Sequence, residues 1–315
     1  MAGGYDEIDL SRIKTVHIEE RESRVSVADY GRPHKGGKGF RRWFDSLPDQ
    51  LAANRVRELV RVMRRTRSSK GREIIWMTGA HLIKCGLPPY MIGLMKKGYM
   101  TTLAVNGACA VHDLEIAFFG RTSEDVAANL EKGTFGFSME TAGLLFEAVN
   151  RGRAEGSGLG GSIGRFILTE KAPHRDSSIF AQACRMEIPL TVHIAIGTDV
   201  VNQHPGFDGA AWGELSARDF RIFCRSVEKL GNAGGVVINA GSAVILPEVF
   251  LKAFSVARNL GAPFNEITAC NMDMIQHYRP SENVLKRPSS FGGLSLSLTG
   301  HHEIMIPLIY SALMS

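Results

Sequence analysis

Between Ile74 and Asp113 the chain runs twice through the same pattern: an apolar stretch, a turn of small residues, then a helix-like stretch. The first pass reads Ile-Ile-Trp-Met-Thr-Gly-Ala-His-Leu-Ile-Lys-Cys-Gly and ends at Gly86. The second reads Met-Thr-Thr-Leu-Ala-Val-Asn-Gly-Ala-Cys-Ala-Val-His-Asp and ends at Asp113. Strand, turn, helix, strand is a βαβ unit, which requires a parallel sheet with helices covering its faces. Ligands of such sheets bind at the strand carboxyl ends, beside helix N-termini. One such end carries Thr78, Gly79, Ala80 and His81, and the next carries Asn106, Gly107, Ala108, His112 and Asp113. Together they read as half of a nucleotide-type site.

The alternation continues along the chain. Leu51, Val56, Leu59, Val60 and Met63 have helical spacing. Further strands are expected near 190–196, 235–240, 264–269 and 294–298, with helices between them. About six strands alternating with helices make an α/β fold, a doubly wound, mostly parallel Rossmann-like sheet with helices on both faces. Thr122 and Ser216 are expected to N-cap helices. Glycines 156, 158, 160, 161 and 164 resemble a dinucleotide fingerprint. They follow a helix pattern rather than a strand, so they read as a helix–helix connection. Residues 1–45, polar and with the cluster Gly36-Gly37-Lys38-Gly39, are expected as an N-terminal arm or loosely packed extension. Residues 46–315 are expected as one domain.

Composition excludes several classes. No run of about 18 apolar residues is present, so no membrane partner is expected. The five cysteines are scattered, with no CxxC pair, which fits a reducing cytoplasm better than a disulfide framework or a zinc site. The net charge of +5 owes much to arginines between 41 and 72. From Arg55 to Arg72 no aromatic residues interleave them for base stacking, so no nucleic-acid partner is expected. His301-His302-Glu303 does not suggest a metal, because adjacent histidines do not share a helix face. Cys109 reads as a small buried cysteine rather than a nucleophile.

The residues expected at strand carboxyl ends are Gly79, Ala80, His81, Asn106, Gly107, His112, Thr198, Asp199, Asn239, Gly241, Thr268, Asn271, Asp273 and His301. Small residues let a ligand approach the backbone, and Asn, Thr and Asp supply the few placed polar contacts of a cofactor site. Asp199 can accept from ribose hydroxyls or hold an ammonium.

Six blocks carry a family resemblance. They are Gly79–Gly86, Asn106–Leu114, Ile188–Asp199, Gly234–Val244, Ile267–Asp273 and Arg279–Val284. In order and spacing they resemble the deoxyhypusine synthase family, in its divergent deoxyhypusine synthase-like branch. The resemblance implies a Rossmann-like fold, a homotetramer and NAD at a subunit interface. It also implies a reaction. NAD dehydrogenates a polyamine, an enzyme lysine captures the aminobutyl group as an imine, and the group passes to a second amine. That acceptor is a protein lysine or a small amine.

Carried over residue by residue, the cofactor side comprises Ala80, His81, Lys84, Asn106, Gly107 and Asp199. The substrate side departs from the family. His204 stands where an Asp is expected, Asn271 where a Glu is expected, and His112 replaces a glutamate. Leu285-Lys286-Arg287-Pro288 takes the place of the family's Trp-Gly-Lys motif. The expectation is an NAD-dependent aminoalkyl transferase with Lys286 or Lys84 as the amine nucleophile. His112 and His204 would transfer protons, and Asn271 and Asp273 would touch substrate. The alternative is an NAD- or nucleotide-binding family member that lacks this transfer or takes a non-polyamine substrate.

Overall fold

A computed structural model describes residues 8, 10–30, 33 and 37–315. The polar first residues and Gly36 of the glycine cluster lie outside the described residues. In chain order the strands are β1 (Ser23–Ser26), β2 (Glu73–Thr78), β3 (Thr102–Asn106), β4 (Arg121–Glu124), β5 (Leu190–His193), β6 (Gly235–Ala240), β7 (Ile267–Asp273) and β8 (Leu294–Thr299).

Six of them form one parallel sheet in the order β5-β3-β2-β6-β7-β8. The chain winds outward from β2 through β3 to β5. It then returns to the far side of β2 and winds outward again from β6 to β8. This is the doubly wound α/β arrangement, and the order reverses between β2 and β6.

Strand β2 shows why the sheet needs cover on both faces. Ile74, Ile75, Trp76 and Met77 are all buried. Ile74 and Trp76 join the core on one face, with helices Leu51–Ser68, Gly107–Phe119 and His302–Met314. Ile75 and Met77 join the core on the other, with helices Gly209–Ala233 and Ile245–Asn259. Alternate side chains on a strand point to opposite faces, so a continuous apolar run fills two cores at once.

The N-terminal segment departs from the loose extension expected of it. β1 pairs antiparallel with β4, Ser23 opposite Glu124 and Val25 opposite Thr122. Val16 bridges to Ser138, and Ile18 and Arg21 are buried. Residues 10–30 therefore strap one flank of the molecule, above the carboxyl ends of β3 and β5.

Several local expectations are corrected. Thr122 does not start a helix; it lies on β4, and Asp125 caps the helix Val126–Glu131 by accepting from Ala128 N. Ser216 lies inside the helix Gly209–Ala233, which Asp208 caps. Its hydroxyl instead donates to Val192 O and accepts from Ile194 N, which ends β5 at His193. The seventh strand runs Ile267–Asp273, not from Phe264. Phe264 sits before it at φ 58°, with its ring 4.2 Å from that of Phe254. Its hydrophobicity serves the core from a loop, and the strand begins later. Of the glycines read as a helix–helix connection, Gly156 and Gly158 lie between the helices Met139–Ala154 and Leu159–Thr169, whereas Gly160, Gly161 and Gly164 lie inside the second helix. A Cβ on Gly160 would stand 2.3 Å from Leu190 O, so these glycines allow close packing of the helix Leu159–Thr169 on β5.

Candidate functional site

Beyond the carboxyl ends of β3 and β5 lies a cavity of about 230 Å³. Much of its wall is apolar, including Val111, Phe135, Ala142 and Val201. Six residues expected at the site line it: Lys84, Asn106, His112, Thr198, Asp199 and His204. They come from the connections after β2, β3 and β5, and Ile245, the first residue of the helix after β6, also lines it. The connections after four adjacent strands, β5, β3, β2 and β6, therefore meet at one opening.

Asp199 is positioned by two contacts. Its Oδ2 accepts from Ala195 N at 2.9 Å. The carboxylate also lies against Gly107, where the helix Gly107–Phe119 begins. A helix N-terminus carries partial positive charge, so the carboxylate sits where an anion is favoured. Burial nonetheless raises its pKa, against the Ala195 hydrogen bond that lowers it. Oδ1 accepts no hydrogen bond from a described residue.

The tautomer of His112 follows from its neighbours. Thr122 Oγ1 donates its single proton to Glu115 Oε2. His112 Nδ1, 2.6 Å from the same hydroxyl, must then be the donor to it. Nε2 is left as an acceptor at the cavity. Burial, with Lys84 and Arg21 nearby, pushes the His112 pKa down to about 3, so the ring is neutral at pH 7. His204 behaves alike. Its Nε2 donates to Gly136 O at 2.8 Å, and burial lowers its pKa. Its Nδ1 is then an acceptor too.

Sequence reasoning missed the floor of this cavity. Arg21, from the N-terminal strap, donates to Glu115 Oε1 at 2.8 Å and to Glu124 Oε1 at 3.2 Å. Thr141 Oγ1 also donates to Glu115. Arg21 lies about a hundred residues before the two glutamates, and no local motif links it to them. The Lys84 ammonium makes no hydrogen bond or ion pair with a described residue.

The remaining candidates lie elsewhere. Gly79 is covered rather than open: a Cβ there would stand 2.2 Å from Gly241 O, so the turns after β2 and β6 touch. Ala80 beside it is also buried. These small residues serve contact between two turns, not the approach of a ligand. Asn239 and Asn271 form a buried ladder, Asn239 Nδ2 donating to Asn271 Oδ1 and Asn271 Nδ2 to Gln276 Oε1. Asp273 ends β7 and accepts from Met274 N. Thr268 is the second residue of β7, at the opposite edge of the sheet from the cavity, because the strand starts later than expected. His301 is exposed at the start of the last helix. Lys286 is exposed and ion-paired with Glu282 one turn away, so it does not share the cavity. Cys109 is fully buried, and burial raises its pKa.

The fold invites a nicotinamide dinucleotide, and the residues can be tested against one. Ribose hydroxyls need an acceptor, and Asp199 Oδ1 offers one. Pyrophosphate needs backbone donors at a helix start. The Gly79 turn is filled by Gly241, and the Gly107 turn by Asp199. At the start of the fifteen-residue helix Ile245–Asn259, Ser242 Oγ caps Leu246 N, Pro247 has no N–H and Glu248 N donates to Val244 O, so Ile245 carries the one first-turn N–H left for a ligand among the described residues. Asp199, Asn106 and Thr198 with Ile245 N would therefore hold a ribose and a single phosphate oxygen of such a group.

No family model matches the sequence, and no curated protein matches it. Among solved structures, the chain is similar to a LOR/SDH protein from Methanococcus maripaludis S2. That likeness has 16% identity and a TM-score of 0.53 over 84% of this chain and 70% of that one. It is also similar to AgrE in a ternary complex with ornithine and NAD+, at 16% identity and a TM-score of 0.51, over 82% of this chain and 32% of that one. This chain therefore spans about a third of AgrE. A deoxyhypusine synthase structure from Entamoeba histolytica superposes at 12% identity and a TM-score of 0.49, over 83% of this chain and 87% of that one, too loosely to carry an argument. What these likenesses show is a shared α/β fold. Among the described residues, no helix is long and apolar enough to cross a membrane.

Proposed function

We propose that this chain is an NAD-dependent enzyme acting on a small aliphatic amine. The observation that carries the reading is the acceptor character of the cavity. Asp199 Oδ1, His112 Nε2 and His204 Nδ1 all offer lone pairs there, and Arg21 is already paired with two glutamates. Such a lining favours a ligand rich in N–H donors. The apolar walls suit a methylene chain, and about 230 Å³ suits a diamine or a basic amino acid. The AgrE structure with ornithine and NAD+ supports the same pairing of ligands on a related fold.

The finer reading is aminoalkyl transfer of the deoxyhypusine synthase-like kind, which the sequence resemblance supports. When bound, NAD+ supplies the acceptor for a hydride from the carbon that bears the reacting amine. Asp199 holds an ammonium of the substrate, and the apolar wall orients its chain. Lys84 Nζ adds to the resulting C=N carbon, and the original amine leaves with a proton. His112 Nε2 accepts a hydrogen bond from the Lys84 amine and orients it, and the proton that Lys84 releases on attack passes to the departing amine. A second amine then displaces Lys84, which leaves as the free amine, and the reduced cofactor would supply the hydride that saturates the new C=N bond. Lys84 is preferred to Lys286 because it lines the cavity without a partner. In this reading the acceptor is a small amine or a protein lysine, and the assembly is a homo-oligomer in the cytoplasm. The exposure of Lys286 also favours a second reading, in which NAD and an amine bind without transfer.

The test is to mix the protein with NAD+ and spermidine, putrescine, ornithine or lysine, following NADH absorbance and amine products together. Turnover with one amine, lost at least a hundredfold in Asp199→Asn, is expected. NAD+ binding without NADH formation would select the second reading. Absence of NAD+ binding in a calorimeter would overturn both.

A further inference from the structure

A second cluster of chemistry-bearing side chains lies on the other side of Lys84 from the cavity. His81 and Cys85 are four residues apart, on the short helix His81–Lys84 and its C-cap, so they share a face. Cys85 Sγ lies 3.2 Å from His81 Nε2. Glu303 reaches the same place from the first turn of the helix His302–Met314. That helix start is fixed by its neighbour: His302 Nε2 donates to Met272 O, and its ring lies 5.6 Å from that of His81. One ligand atom each from His81, Cys85 and Glu303 lies within 4.8 Å of the others.

We propose that His81 Nε2, Cys85 Sγ and a Glu303 carboxylate oxygen bind a divalent cation of the zinc class, with one coordination position left open. The geometry is close to what such an ion needs. In a tetrahedral site with standard Zn–N and Zn–S lengths the N···S edge is about 3.6 Å. Small side-chain rotations reach that from the spacing present. The charges also fit: a thiolate, a carboxylate and a neutral imidazole balance a divalent ion. A mixed N, S and O set selects zinc-like metals over calcium or magnesium, which prefer oxygen alone.

Three protein ligands with a free position is the pattern of catalytic rather than structural zinc. The free side has room. Cys85 and Glu303 border a groove of about 310 Å³, with Arg24, Asp29 and Gly86 along it. Glu303 is exposed, so an ion can enter from solvent. His302 Nδ1 is buried without a partner in the adjoining ring, which adds unmet polar capacity at this place. The bound ion would tie the turn after β2 to the last helix, at the point where the sheet order reverses. This site is independent of the amine reading above.

The experiment uses the full chain, stripped with a chelator and titrated with Co2+ and then Zn2+. The expected result is Co2+ binding at one ion per chain with a thiolate-to-cobalt charge-transfer band in the near ultraviolet, displaced by Zn2+. Cys85→Ser should abolish the band. Glu303→Gln, at an exposed position that leaves the core untouched, should weaken binding at least tenfold while circular dichroism stays unchanged. Failure to bind either ion stoichiometrically would overturn the proposal. So would a band that survives Cys85→Ser, or affinity unchanged in Glu303→Gln.

Discussion

The carboxylate of Asp199 occupies the space that a side chain at residue 107 would need. A Cβ on Gly107 would stand 2.2 Å from Asp199 Oδ2. The absence of a side chain after β3 is thus what lets an acid from the connection after β5 reach the start of a helix. Gly107→Ala should push Asp199 aside and cost about 1–3 kcal/mol of stability by overpacking. The same variant should lower amine affinity at least tenfold. Calorimetric titration and urea unfolding check the two effects. Unchanged affinity would separate Asp199 from the ligand.

Arg21 ties the N-terminal strap to the cavity floor through the buried Glu115 and the half-buried Glu124. Removing one member of a buried charge cluster strands the others without a partner. Arg21→Met should therefore destabilise the protein by about 3–5 kcal/mol, far more than loss of an exposed arginine. Urea unfolding measures this, with the exposed Arg24→Met as the comparison. Equal effects in the two variants would mean that the strap is not part of the folded unit.

Stability should depend on pH through Asp219. This residue is fully buried, and its Oδ2 accepts from Gly160 N and Val192 N, joining the helix Leu159–Thr169 to β5. Burial pushes its pKa up to about 7 from the ordinary 3.8, against the hydrogen bonds that lower it. A carboxyl whose pKa is higher in the folded state contributes its stability below the unfolded value and loses it as pH rises through the folded one. Wild-type stability relative to Asp219→Asn should thus fall between about pH 4 and pH 7. Urea midpoints of both proteins across that range give the difference. A difference that grows with pH would mean that the hydrogen bonds outweigh burial.

Lys84 and Lys286 can be told apart by chemistry. Borohydride added during turnover reduces a lysine imine to a stable secondary amine, which peptide mass spectrometry locates. The label is expected on Lys84. Lys286→Ala should keep activity within about twofold, as an exposed residue outside the cavity does, and Lys84→Ala should lose the label. A label on Lys286 would move the chemistry out of this cavity.

The fold was legible because its signals are local. The run Ile74–Met77 is apolar on both faces, which only a covered parallel strand accommodates, and Asn106-Gly107 opens a helix that its own Asn caps. Spacing within a few residues carries such information, so the α/β class and much of the element order follow from it. The same local signal failed at Phe264, whose hydrophobicity belongs to a loop, and at Thr122, where a helix-start pattern sits on β4.

The site was legible only in part. Asn106, His112, Thr198 and Asp199 line one cavity because they follow strands, and a parallel sheet brings its strand ends together whatever its other details. Arg21 and Glu124 could not be found that way, since their pairing depends on β1 meeting β4 across nearly a hundred residues. Glu303 meets His81 and Cys85 only because the last helix docks on the turn after β2. The sequence by itself determined periodicity, hence the elements and the sheet edge at which chemistry gathers. Tertiary structure decided which charges share a cavity, which glycines face protein rather than ligand, and which lysine is left without a partner. Those outcomes depend on distances between remote segments, which no local spacing encodes.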